Sequence, residues 1–456
     1  MTSISRRDLL KSTLTTAAGA AAGMFLSPQN AKADESSLGG TLNFVEVADE
    51  VNPCRVENGA VVRPARTIPT ISETDVLVVG AGPAGCTAAI AAARAGVKVT
   101  LVERYNHFGG LATGGLVLVI LGHWARQSKG EQPFSCCQGI GEEYMQRLEA
   151  MPLGIVNRRH GVNPTIDAEA YKYLLQEMLT EANVEILLHS WATDAIMSGN
   201  VCKGAIFECK SGPQAILAKQ VIDTTGDGDI FAAAGAKHQV RKFAAGLVHT
   251  LGGLNQIDNS KRQGQPPLRG LGSVTPVPGL NWVNMSGPQS NGVDVKELTR
   301  LELAHRKHIW QNYLNLKKQP GTDNVFLAQT APQMGVRITR VIDGVETVTW
   351  QGMESNQEFD DFLAYSGSWN ANHQRWQIPF GAMLPQNVEN IITAGRSLSG
   401  EHRMSDDIRV IPTCWVSGHA AGCAAAVAVK TNVDYIRNVD IPAVRDLLRT
   451  QKAYLG

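Results

Sequence analysis

The chain has 456 residues, 42 Lys+Arg against 42 Asp+Glu, and 43% hydrophobic residues, enough for two to three domains with a large core. Zero formal charge argues against a nucleic-acid partner, and 18% charged residues with 45 glycines exclude a disordered or fibrous chain. Eight cysteines include no CxxC pair, so neither a zinc site nor an iron–sulfur cluster is expected, and no metal is assigned.

The first 33 residues place Arg6-Arg7 before Leu9-Leu10 and Lys11, then an Ala/Gly-rich run, then Ala31-Lys32-Ala33. This pattern reads as a twin-arginine export signal cleaved near Ala33. It implies a periplasmic or otherwise exported protein, and the twin-arginine translocation machinery as a partner. Such export carries proteins already folded, often around a cofactor. No run of 18 apolar residues follows, so no integral membrane span is expected.

Residues 34–70, with Pro53, Pro64 and Pro69, read as an arm or linker. Asp75 to Val79 is an apolar strand, Ala84 to Ala95 an Ala-rich helix closed by Gly96, and Val97 to Val102 a second strand ending at Glu103. A helical pattern covers Ile166 to Leu188, and Val184 to Val221 reads as a strand followed by a β-meander. Cys202 and Cys209 could meet across a hairpin of it; buried thiols, like Cys136-Cys137, are the simpler reading. Residues 240–384 are richer in Gln, Asn, Trp and Pro, with a helix near Val295 to Leu316, and look inserted. Ile391 to Gly395 returns to strand, followed by an Ala-rich helix from about Val416 to Val429.

Gly80-x-Gly82-x-x-Gly85 lies between the first strand and its helix, where a dinucleotide fingerprint belongs. The first glycine permits the tight turn, the second lets backbone approach a pyrophosphate, and the third allows close helix–strand packing. Glu103 closes the second strand, where a carboxylate can accept both ribose hydroxyls. A second such glycine pattern in strand context is missing, which disfavours a nicotinamide partner.

With Phe108-Gly109-Gly110-Leu111-Ala112-Thr113 after Glu103, the chain resembles flavoproteins of the glutathione-reductase-like superfamily, and within it the bacterial FAD-dependent oxidoreductases. Asp223-Thr224-Thr225-Gly226-Asp227-Gly228-Asp229 and the block from Ala394-Gly395-Arg396 through His402 to Ile408–Cys414 carry the same likeness. It spans residues 64 to 430. It implies an α/β fold: a Rossmann-like FAD-binding domain, with central parallel sheet and β-meander, and an inserted α+β substrate domain. The expected boundaries are 71–125, 165–240 and 385–435 for FAD binding, 126–164 and 241–384 for the substrate or cap region, and 436–456 for a tail.

The resemblance implies Gly80, Gly82 and Gly85 at the FAD pyrophosphate and Glu103 at the adenosine ribose. Gly109, Gly110 and Thr113 would lie along the ribityl–flavin side, and Asp223, Gly226 and Asp227 would support the nucleotide half. Gly395 and Arg396 would reach the pyrophosphate or ribityl region. Pro412 and a helix start at Ala421-Gly422 would face the flavin's pyrimidine edge, where a helix N-terminus suits the charge of the reduced ring. His107 could tether the flavin covalently. His402, as base, and Arg409, as clamp for an anion, are the catalytic candidates; Arg337, Arg340 and His373 are substrate candidates. Trp369 and Trp376 could line a pocket. The expected reaction is hydride transfer between a small organic substrate and flavin N5, with a quinone, a cytochrome or oxygen as electron partner. The alternatives are a reductase of an activated C=C bond and a non-catalytic electron relay.

Overall fold

An unbroken apolar run such as Val76-Leu77-Val78-Val79 can be buried only inside a sheet covered on both faces. In the computed structural model, which describes residues 53–128, 130–371 and 373–456, it forms the end of strand β1 (Thr70–Val79). β1 starts five residues before the expected Asp75; the added half is mostly exposed, which is why its apolar pattern is weak. The strands that follow in its sheet are β2 (Val99–Val102), β3 (Glu185–Leu187), β4 (Trp191–Ser198), β5 (Val201–Cys209), β6 (Gly212–Asp223) and β7 (Ile391–Thr393). Their order is β4-β5-β6-β1-β2-β3, with β7 beside the last residues of β6. β1, β2, β3, β6 and β7 pair in parallel, while β4, β5 and β6 form the antiparallel meander expected from the sequence.

Helix α1 (Pro83–Arg94) joins β1 to β2, α2 (Ala168–Glu181) precedes β3, and α4 (Ile411–Lys430) follows β7. Asp167 caps α2 by accepting from the N–H groups of Glu169 and Ala170, and the helix stops seven residues before Leu188 because Asn183 turns left-handed and β3 begins. Helix α3 (Val295–Lys317) belongs to the inserted segment, capped by Asp294 and lying among short antiparallel strands. α4 starts at Ile411, five residues earlier than expected, because Pro412 fits a first helical turn. The supposed tail is docked: helix Ile441–Thr450 buries Val444 and Leu448, and Gln451 Nε2 donates to the Ala91 carbonyl at 2.9 Å.

The described residues fall into two units that divide between Arg66 and Thr67. The first unit contains a hairpin, Arg55–Glu57 against Ala60–Val62, turned by Asn58 and Gly59 at positive φ. The expected export signal lies outside the described residues. All eight cysteines are free thiols; the Cys136 and Cys137 sulfurs are 3.9 Å apart.

Small residues decide how closely α1 is held. A Cβ on Gly85 would sit 1.7 Å from the Gly80 carbonyl oxygen. On the other side, a Cβ on Gly418 or Gly422 of α4 would meet the carbonyl oxygens of Ala84 and Ala88 at 2.2 and 2.3 Å. Strand, α1 and α4 therefore meet backbone to backbone. Gly422→Val should lower the melting temperature by several degrees, because overpacking of this kind costs about 1–3 kcal/mol. An unchanged melting curve would show that the two helices are not in this contact.

Candidate functional site

Parallel strands that end in register leave a crevice beyond their carboxyl ends. Here Val79 pairs with Val102 and Asp223, and Asp223 with Thr393. The loops leaving these ends place Gly80, Glu103, Thr224 and Ala394 around one cavity of about 430 Å³. The Thr224 hydroxyl donates to the carbonyls of Val79 and Gly80 at 2.9 and 2.8 Å and ties two of the strand ends together.

The glycine loop does what its spacing requires. Gly80 has φ +97° and its N–H donates to the Val102 carbonyl at 2.8 Å. Gly82 begins α1 with no side chain accepting from the helix, so the first-turn N–H groups are left for a ligand. A Cβ on Gly82 would meet nothing of the protein within 4 Å, while Gly82 itself lines the cavity. That is the cradle a pyrophosphate needs. Glu103, buried, accepts from the Ala81 N–H at 2.7 Å and the Tyr105 N–H at 2.9 Å, and also lines the cavity. The α4 N-terminus opens into the same space through Val410, Ile411 and Cys414, again without a side-chain cap. The residues present therefore fit FAD.

Other expectations separate into wall and support. Gly110, Gly226, Gly395 and Arg396 line the cavity with Gly80, Gly82 and Glu103. Gly109 and Thr113 do not: Gly109 is left-handed, and Thr113 Oγ1 donates to the Phe108 carbonyl at 2.5 Å, so they shape the turn. Asp223 is also behind the wall. Its carboxylate accepts from the backbone of Thr225, Ile230 and Phe231 and from the Thr225 hydroxyl, which fixes the Gly226–Asp229 turn; burial raises its pKa. Asp227 holds Arg396 at 2.9 Å and stands 3.6 Å from Arg104. Pro412 is buried in the first turn of α4, and Gly422 lies three turns further on, against α1; the helix start facing the cavity is at Val410 and Ile411.

Of the catalytic and substrate candidates, Arg409 and Arg337 reach the cavity and the others do not. Arg409 pairs with Asp406, which also lines it. Arg337 donates to the Ser286 hydroxyl at 3.0 Å; burial and the nearby Arg409 lower its pKa. His402 is exposed at the start of a short helix, edge-on to Phe243. Arg340 is spent on Asp229 at 2.9 Å and the Asp227 carbonyl. His373 sits in a left-handed turn beside Arg126, where burial lowers its pKa. His107 lies outside the wall, its Nε2 buried without a partner near Gly114. Trp369 lines the cavity, whereas Trp376 is core.

The sequence reading missed several wall residues. Arg104 follows Glu103 and stacks over Tyr105 and Trp191, each ring centroid 5.0 Å away. Trp282, Met285, Ser286 and Gln333 come from the inserted segment, where nothing local marked them. Asp229, quoted only as part of a motif, has its pKa raised to about 6, chiefly by burial and then by Asp227 and Asp223.

Two outcomes are expected. Gly82→Ala should fold with an unchanged apo melting temperature and lose FAD affinity, whereas Gly85→Ala should lose stability first; equal FAD binding by Gly82→Ala and the parent contradicts the cradle. Because Asp229 has a raised pKa in the folded chain, its contribution is favourable below about pH 4 and is lost as pH rises to about 6. Asp229→Asn should therefore melt progressively higher than the parent across that interval, and a constant difference between pH 4 and 6 would refute the assignment.

The profile of a family described as FAD dependent oxidoreductase matches residues 75–246 and 254–448. The chain is 28% identical over 254 residues to a tRNA uridine 5-carboxymethylaminomethyl modification enzyme of Pelobacter propionicus, covering 51% of this chain and 34% of that one. It is 27% identical over 172 residues to digeranylgeranylglycerophospholipid reductase 1 of Methanopyrus kandleri, covering 34% and 40%. The chain thus spans well under two thirds of the length of these relatives. Among solved structures, a geranylgeranyl bacteriochlorophyll reductase-like protein of Thermoplasma acidophilum matches with a TM-score of 0.46 at 16% identity, over 84% of this chain and 83% of that one. The family match covers most of the chain, and its blocks contain the glycine loop, Glu103 and both helix N-termini that line the cavity. The chain belongs to the FAD dependent oxidoreductase family.

Proposed function

We propose that the protein is an exported oxidoreductase that moves a hydride between a small organic substrate and its flavin, with a quinone, a cytochrome or oxygen as electron partner. The observation that supports this reading is a shared cavity. Its walls combine the glycine loop and Glu103 with Trp282, Ser286 and Arg337 of the inserted segment, so cofactor space and substrate space are continuous. FAD, when bound, supplies a two-electron acceptor or donor. The N-terminus of α1 and Glu103 would hold its nucleotide half, and the N-terminus of α4 the flavin end.

Arg409 and Arg337 are cavity residues able to stabilise charge developing on a substrate. Their position supports a second reading, reduction of an activated C=C bond, since the expected base His402 stands outside the wall. Export rests on Arg6-Arg7 and Ala31-Lys32-Ala33, and it agrees with an electron partner other than a nicotinamide. The parallel sheet with its meander is consistent with the glutathione-reductase-like superfamily, with residues 241–384 as substrate region.

The test is anaerobic. Addition of a substrate to oxidised holoenzyme should bleach the flavin band if the protein works as a dehydrogenase. Reoxidation of the photoreduced enzyme by an unsaturated acid identifies the reductase. A flavin that responds to no metabolite, while exchanging electrons with redox dyes, would overturn both in favour of a relay.

A further inference from the structure

We propose that the substrate is an anion, a carboxylate with a flat apolar body, and that Arg337 is the residue that selects it. The inference rests on the function proposed above and adds the substrate class.

Charge is balanced unevenly inside the cavity. Near the sheet, Arg396 and Arg104 share Asp227, with Glu103 and Asp229 close by, so their charge is answered by protein carboxylates. In the part where the inserted segment meets the Asp406–Arg409 turn the balance differs. Arg409 is paired with Asp406, but Arg337 has no ion-pair partner among the described residues; it donates to Ser286 and shares only the longer-range attraction of the same Asp406. Two cations and one carboxylate leave a surplus positive charge in a space walled by Trp282 and Trp369. A half-buried cation beside another cation is stabilised when an anion joins it. A carboxylate supplies that anion and accepts two parallel N–H bonds from one guanidinium. The indole walls suit a planar apolar body.

Arg337 follows a strand (Gly335–Val336) that pairs with Ala245 and Gly246 and belongs neither to the glycine loop nor to the parallel strands. The Val336 carbonyl before it accepts from Arg396, so the two parts of the cavity adjoin, and FAD retention by Arg337 variants is what tells the two roles apart.

The test uses the full-length holoenzyme with benzoate and its neutral counterpart benzamide as probes, read by perturbation of the flavin spectrum. Benzoate should bind and benzamide should bind about 10- to 100-fold more weakly, the range of a charge-assisted pair. Arg337→Gln should lose the preference for benzoate while keeping one FAD per chain, and Arg337→Lys should restore part of it. Equal binding of the two probes, or a spectrum moved by neither, overturns the inference. Loss of FAD from Arg337→Gln also overturns it, because the arginine would then serve the cofactor. Failure of the oxidoreductase reading has a different signature, a holoenzyme whose flavin exchanges electrons with no substrate of any charge.

Discussion

The close approach of α1 to its neighbours on both sides is the constraint on which the site depends. Gly85 lets the helix settle on the Gly80 carbonyl, and Gly418 and Gly422 let α4 settle on α1. With only glycine and alanine at these contacts, the two helix N-termini are brought to the carboxyl ends of the parallel strands. Those ends are themselves held in register by the ladder from β3 to β7 and by the two hydrogen bonds of Thr224. An anion-binding terminus is useful only if it is positioned to within a fraction of an ångström of its ligand. Backbone packing against backbone gives that rigidity, since carbonyl groups lack rotamers that can relax.

Around this frame the charges are arranged by distance from the sheet. Asp223 acts at second hand, gathering backbone N–H groups so that the Gly226–Asp229 turn takes one shape. Asp227 then fixes Arg396, whose guanidinium crosses Gly226 where any Cβ would strike it at 2.6 Å. The docked C-terminal helix finishes the support from behind. Gln451 bridges His419 of α4 and the Ala91 carbonyl of α1, and burial holds the His419 pKa down at about 4, so the contact is made by a neutral ring.

How much of this was legible in the sequence follows from how local each feature is. The β1–α1–β2 unit and Glu103 were legible because turn, strand and acid lie within 35 residues and each glycine has a distinct steric task. The start of α4 was misplaced because the alanine run is a stronger signal than the proline that opens the helix. Gly422, Asp223 and Thr113 show a further limit: sequence blocks mark residues that matter, but whether one faces a ligand or braces its neighbour depends on the turn it sits in. His402 and Arg409 come from one block, yet a short helix turns the first to solvent and the second to the cavity. Trp282, Ser286 and Gln333 meet the site only through long-range pairing of the inserted strands, which no local pattern announces.

The account stands or falls on the cofactor cradle, and the most direct measurement is the flavin stoichiometry of the purified protein, from its visible spectrum and from calorimetric titration of the stripped protein. The account predicts one FAD per chain, bound with a marked rise in melting temperature. A colourless protein that takes up no added FAD would contradict it.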